Sequence, residues 1–176
     1  MTAPSAVLQG AMFPLAELRD TDRSVVNPLL IAWEHKMGPI RRPPEYGEWC
    51  HVLLHEGRPI ALAVASTLVR THVAGFAGRL TRESTVELSR ICAARPGLCR
   101  AMLRLWRELV FPSLPFRFAI SYSARKYHTG ELYRFDGWRY LGRSRSGTDR
   151  RTNRDGFDRH IWGWGVPADW TMEDGA

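Results

Sequence analysis

The stretch TVELSRICAARPGLCRAMLRLW, residues 85–106, constrains the fold most, because it joins a strand to a helix through a short loop. The first half has the mixed apolar pattern of a strand, and Pro96 suits the start of a helix. Pro112 ends that helix. Between the two prolines, apolar residues recur at helical spacing: Leu98, Met102, Leu105 and Leu109.

The loop of this unit has the composition of an anion site. A Gly-containing turn into a helix presents free backbone N–H groups at the positive end of the helix dipole, which favours phosphate or pyrophosphate. Arg95 and Arg100 add positive charge there. The alternative is a plain strand–helix connection with both arginines in solvent.

The remaining segments extend this unit into an α+β domain with a central mixed sheet. Residues 11–17 could form a first strand, and Asn27 with Pro28 predicts the start of a helix that closes at Gly38. The turn sequence HEGRP between two apolar runs predicts a β-hairpin. A strand at residues 70–78 is weakened by its glycines. The predicted order is β, α, β, β, (β), β, α, β, α, β, β.

The length of the chain favours a single domain, and its cysteine content favours reduced thiols. A chain of 176 residues can bury a core of its own, and we expect one domain at 1–165 with a loosely held acidic tail at 166–176. Three cysteines without metal-type spacing indicate free thiols and a cytoplasmic location. The start lacks the features of a signal peptide, and no apolar run is long enough to span a membrane.

The charge of the chain suits a polyanionic partner. The formal net charge is +7, and only Lys36 and Lys126 among the 25 basic residues are lysines. Arginine forms bidentate contacts with phosphate and stacks on bases, so its excess suits nucleic acid. GC-rich coding explains the choice of Arg over Lys equally well, although it leaves the net positive charge unexplained.

The second informative stretch is HTGELYRFDGWRYLG, residues 128–142. It reads as a short helix followed by a strand, with Tyr133 on the helix. A tyrosine beside a parted sheet can give its proton to a leaving group. The alternative is a core tyrosine whose hydroxyl is satisfied by a neighbour.

Together, residues 86–142 resemble the GNAT acetyltransferases, which use acetyl-CoA. In that family the fourth strand runs into a pyrophosphate loop and a helix, and a later segment of the form A…LY…GF precedes the sixth strand. ELYRFDGWRYLG is similar to that segment, with Trp138 where Phe is usual. The resemblance implies that Tyr133 protonates the departing CoA thiolate. RPGLCRA departs from the family loop, since its one glycine, Gly97, falls a position early.

A narrower resemblance is to the Mom family of phage proteins, GNAT-fold enzymes that modify the N6 amine of adenine in DNA. It rests on ELSR and on ISYSARKYHTGELYRFDGWRYLG, covers roughly residues 45–142, and is strongest from Ile120 to Gly142. This resemblance implies that the protein acts on DNA and that the group it transfers is acyl-derived. Modifying a base in a duplex requires extruding it into a pocket.

These observations nominate three groups of site residues. The catalytic candidates are Tyr133, Glu87 and Ser123. Glu87 is placed to orient the amine or to accept its proton through water, and the alternative is a simple salt bridge. The candidates for binding acetyl-CoA are Ser89, Arg90, Ile91, Cys92, Arg95, Gly97, Leu98, Cys99 and Arg100. The candidates for binding DNA are Arg41, Arg42, Arg125, Lys126, His128 and Trp138, together with the arginines between 143 and 159. No spacing of His and Cys is typical of a metal site.

Three functions follow in order of preference. The first is modification of adenine N6 in DNA, and the second is acetyl-CoA-dependent acetylation of a small amine or an amino-modified base. The third is DNA binding without catalysis, which predicts salt-dependent affinity and no chemical product.

Overall fold

The computed structural model describes residues 16–145, 158–170 and 172. Within them seven strands form one mixed sheet in the order β1-β2-β3-β4-β5-β7-β6. This confirms the predicted α+β class. The strands are β1 (Ala16–Thr21), β2 (Glu48–His55), β3 (Arg58–Thr67), β4 (Thr85–Ala93), β5 (Phe118–Ala124), β6 (Arg139–Arg145) and β7 (Asp158–Trp164). The helices are α1 (Arg23–Ala32), α2 (Leu98–Leu105) and α3 (Glu131–Phe135).

The chain divides into two compact units, and β4 contributes to both. In the first, which holds residues 16–66 and 89–114, the predicted hairpin is confirmed. Glu56 and Gly57 form its turn with φ angles of 50° and 72°, as a two-residue turn requires. α2 continues through a π turn and a 3₁₀ turn to Ser113. The buried core of this unit comprises Val26, Leu30, Ile40, Cys50, Leu62, Val64 and Cys92.

α1 begins earlier than the Asn27–Pro28 signal predicts. Asp22 caps the helix by accepting a 2.7 Å hydrogen bond from the backbone N–H of Ser24, and Pro28 lies inside the helix. The Asn27 side chain instead bonds the backbone of Ile40, accepting from its N–H at 2.7 Å. A tertiary contact, not a cap, therefore determines the position of Asn27.

The second unit holds residues 67–88, 115–145, 158–170 and 172. The expected strand at 70–78 is wrong: the connection from β3 to β4 is a series of turns with a single bridge between His72 and Thr81. Gly75 and Gly78 adopt φ angles of 76° and 73°, which interrupt a strand. The apolar residues of this connection pack instead on β5, β6 and β7: Leu68, Val73, Phe76 and Leu80.

The described residues of the tail, 166–170 and 172, contact the second unit. Val166, Trp170 and Met172 pack against the core of the second unit. The rings of Trp170 and Phe118 have centroids 5.3 Å apart. Arg139 donates to the carbonyl of Pro167. Apolar burial stabilises these contacts, and the expectation of a loosely held tail over 166–176 stays a prediction.

Candidate active site

The catalytic candidates of the second unit lie at the end of the pairing between β4 and β5. The two strands pair in parallel at Thr85–Phe118, Val86–Ala119 and Glu87–Ile120. One residue further along, the Ser121 hydroxyl donates to the carbonyl of Leu88 at 2.9 Å. Ser121 therefore bonds β4 through its side chain.

Tyr133 reaches this point from α3. Gly130 is the N-cap of the helix with a φ of 85°, and Tyr133 lies in the following turn with its side chain buried. Its hydroxyl is 2.7 Å from Ser121 Oγ. The phenol therefore contacts a polar group at the sheet instead of being enclosed by hydrocarbon alone.

Two tryptophans hold the Tyr133 ring. The ring of Trp162 stacks on it at 5.9 Å between centroids, and that of Trp138 meets it edge-on at 5.4 Å. Trp138 is itself buried and donates from Nε1 to Asp136 at 3.2 Å. Such aromatic pairs add stabilisation beyond area burial and fix the ring plane. As a predicted DNA contact, Trp138 would require a rearrangement that uncovers it.

Trp162 contacts two of the catalytic candidates, and the sequence analysis did not single it out. Its Nε1 donates to Ser123 Oγ at 2.9 Å. Ser123, a predicted catalytic residue, is buried, and its hydroxyl contacts the indole through this hydrogen bond. Ser121 and Ser123 share a face because side chains alternate along a strand. The Ser-Tyr-Ser pattern in the sequence is the signal from which this shared face could be predicted.

Glu87, the predicted carboxylate, lies half-buried on β4 in register with Ile120. It is one residue before the Leu88 carbonyl that Ser121 binds. Its role as a base stays a prediction.

The loop that we predict to bind phosphates belongs to the first unit. Gly97 is the N-cap of α2 with a φ of 88°, and no side chain caps the helix. Arg95, Pro96 and Gly97 are exposed. An open groove of about 690 Å³ runs beside them. It is lined by His55, Glu56, Arg58, Pro59 and Ile60 from the hairpin, and by Ala94, Arg95, Pro96 and Leu98 from the loop.

The other cofactor-binding candidates are divided between this loop and the strand before it. Arg100 is exposed on α2, and Cys99 is half-buried there. The Ser89 hydroxyl donates to the Val64 carbonyl at 3.1 Å. Arg90 donates to the backbone carbonyls of Gly38 and Ser89. Ile91 is half-buried and Cys92 belongs to the core.

The candidates for binding DNA are divided between the two units. In the second unit Arg125, Lys126 and His128 are exposed together in the connection from β5 to α3. In the first unit Arg41 is exposed, whereas Arg42 donates to the hydroxyl of Ser66. Of the arginines predicted between 143 and 159, half lie outside the described residues. Arg143 is exposed on β6, and Arg159 is half-buried on β7.

Burial sets the protonation of the histidine and thiols near these elements. It lowers the pKa of His160, and Arg125 and Arg143 lower it further. It raises the pKa of Cys99 to about 11, so this thiol is a weak nucleophile at neutral pH. All three cysteines are free. In the part of the chain that the structure describes, no group of three His, Cys, Asp or Glu side chains could hold a metal ion.

None of the helices among the described residues has the length and apolar character required to cross a membrane.

Comparison with known proteins gives matches among solved structures. No protein-family model matches the chain, and no curated protein matches it. A GNAT-family acetyltransferase from Streptococcus pneumoniae has 13% identity and a TM-score of 0.56, over 85% of this chain and 98% of that one. A Bacillus subtilis acetyltransferase in complex with CoA has 14% identity and a TM-score of 0.55, over 86% and 98%.

The ribosomal-protein-S18-alanine N-acetyltransferase from Escherichia coli has 15% identity and a TM-score of 0.52, over 88% of this chain and 97% of that one. Likeness at these identities establishes the fold. The chain has the fold of GNAT acetyltransferases, as the sequence resemblance predicted.

Proposed function

We propose that the protein is an acyltransferase that moves an acetyl group from acetyl-CoA to a primary amine. The observation that carries the proposal is the buried phenol of Tyr133, held 2.7 Å from Ser121 within a GNAT fold. A fixed phenol beside a polar group is suited to giving a proton to a leaving thiolate. The solved relative that contains CoA supports the choice of donor.

The residues of the loop fit the anionic part of this donor. Acetyl-CoA supplies an activated thioester and a chain of phosphates. The exposed loop before α2 offers backbone N–H groups at an uncapped helix start, and Arg95 and Arg58 border the groove beside it. Backbone amides and arginines are the groups that bind phosphates. This loop and these two arginines would hold the phosphates.

Calorimetry and an assay of thiol release test this function. We expect acetyl-CoA to bind with a micromolar dissociation constant, and free CoA to appear when an accepting amine is added. The amines should span polyamines, amino sugars, peptides with free N-termini and adenine nucleosides. Absence of both binding heat and thiol release across this set would contradict the proposal.

We also propose a second candidate, in which the accepting amine is N6 of adenine in DNA. It is favoured by the exposed cluster of Arg125, Lys126 and His128 and by the net charge of +7. The adenine amine is a poor nucleophile because its lone pair is delocalised into the ring, so transfer to it requires stronger activation than transfer to an alkyl amine.

Mass spectrometry of nucleosides from plasmid DNA tests this candidate. The host should express either the wild-type protein or the Arg125→Glu/Lys126→Glu variant. A modified adenine is expected with the wild type and should be depleted with the variant, because phosphate contacts dominate DNA affinity. Acetylation of small amines by a protein that leaves DNA unmodified would favour the first proposal.

A further inference from the structure

The hydrogen-bond chain from Tyr133 to β4 has a defined direction. The Leu88 carbonyl can only accept, and the Ser121 hydroxyl has one proton, which lies along its 2.9 Å contact with that carbonyl. Ser121 Oγ must therefore accept at its 2.7 Å contact with Tyr133. The phenol is the donor, and its proton points at Ser121.

Both side chains of this hydrogen-bond chain are buried. Ser121 is 1% exposed and Tyr133 is 6% exposed. A hydrogen bond in such surroundings is electrostatically stronger than in water, and a polar group left unpaired there is costly. The stacked Trp162 holds the ring, and the Ser121 Oγ lies 2.7 Å from the phenol oxygen.

We propose that Ser121 is a positioning residue that aligns the Tyr133 phenol and stabilises it after it has given up its proton. This inference rests on the proposed acyl transfer. In that reaction the amine nitrogen would bond the acyl carbon, the carbon–sulfur bond would break, and the phenol would turn its proton from Ser121 to the thiolate. The amine loses one proton to water, and water later returns one to the phenolate.

Rotation of one hydroxyl provides the stabilisation. When Tyr133 becomes a phenolate, the Ser121 O–H turns from the Leu88 carbonyl to the phenolate oxygen. The carbonyl loses a neutral hydrogen bond, and the phenolate gains a charge-assisted one, which is roughly twice as strong. The exchange favours the charged form of Tyr133 that proton transfer produces.

A double-mutant cycle tests the role of Ser121. We expect Ser121→Ala to lower kcat by about 10- to 100-fold, the effect of one hydrogen bond to a charged group, with KM for acetyl-CoA unchanged. Ser121→Thr should restore kcat because it keeps the hydroxyl. Combined with Tyr133→Phe, Ser121→Ala should add no further loss, since it acts through the phenol. Additive losses would overturn the proposal.

A second measurement does not depend on turnover. With tyrosines ¹³C-labelled at Cζ, the Tyr133 resonance is assigned by its absence in Tyr133→Phe and followed against pH. The ionisation of Tyr133 should move to higher pH in Ser121→Ala and should return to the wild-type pH in Ser121→Thr. If Ser121→Ala fails to fold, Ser121→Cys replaces it. An unchanged titration would overturn the role of Ser121, whereas a wild type that binds no acetyl-CoA would overturn the proposed function alone.

Discussion

Gly130 and Trp162 approach so closely that no side chain fits between them: a Cβ atom on Gly130 would lie 2.4 Å from Cζ2 of the indole. Gly130 starts α3, which carries Tyr133, and Trp162 stacks on the Tyr133 ring. The contact therefore joins the turn that aims the phenol to the ring that holds it.

Gly130→Ala should destabilise the protein more than Gly137→Ala. Both glycines have a φ of 85°, so both variants carry about 1–2 kcal/mol of backbone cost. Only Gly130 adds a clash, typically about 1–3 kcal/mol for overpacking, since a Cβ on Gly137 makes an ordinary 3.7 Å contact with Trp164. Urea unfolding measures the difference. An equal decrease in the free energy of unfolding of the two variants would show that Trp162 can shift without destabilising the protein.

Tyr133→Phe should abolish most turnover and leave acetyl-CoA binding intact. The change removes a single oxygen from a buried ring that two tryptophans hold, so packing is kept. Loss of a general acid typically lowers kcat by about 10²- to 10⁴-fold. Tyr127→Phe, at an exposed tyrosine, is the matched control. The assignment fails if steady-state kinetics show both variants with wild-type kcat.

Arg95→Glu should weaken acetyl-CoA binding by about tenfold or more, because a charge-assisted contact to phosphate is replaced by repulsion. Arg95 is exposed, so we expect no loss of stability. Arg104→Glu changes the net charge equally on the exposed face of α2 and serves as the control. Calorimetry at two salt concentrations measures both. Equal weakening by the two variants would indicate only a general charge effect.

The hairpin and the strand–loop–helix unit could be predicted because their signals are local. A Glu-Gly turn between two apolar runs fixes β2 and β3, and helical spacing after Pro96 fixes α2. The start of α1 was misplaced because a Pro28 signal typical of a first turn lies inside the helix. At residues 70–78 the apolar residues serve a core built from distant strands, which no local pattern shows.

The candidate site was predictable only in its local part. The segment around Tyr133 singled out the phenol, but its partners come from other strands. Trp162 pairs with Ser121 across β5 and β7 and donates to Ser123, 39 residues away. Such pairings depend on sheet register, which the burial of one whole face determines. The Ser-Tyr-Ser pattern and the seven tryptophans of the sequence do not indicate which serine and which tryptophan meet.

Acidification below about pH 6.5 should lower the free energy of unfolding, in part through His51. This histidine is buried, and its desolvation lowers its pKa from 6.5 although Asp20 contacts Nε2 at 2.7 Å and opposes the shift. Between the folded and unfolded pKa values the unfolded chain holds more protons, so stability rises with pH in that window and is lost as pH falls through it. His160 shifts in the same direction.

Two variants separate this contribution from the general effect of acid. His51→Gln removes the titrating group, so the dependence of unfolding free energy on pH should flatten, with the part due to His160 remaining. Asp20→Asn removes the favourable partner of the protonated ring, so the loss should become larger and extend to lower pH. Urea unfolding between pH 5 and pH 8 measures both. A slope that is the same in all three proteins would contradict the assignment to His51.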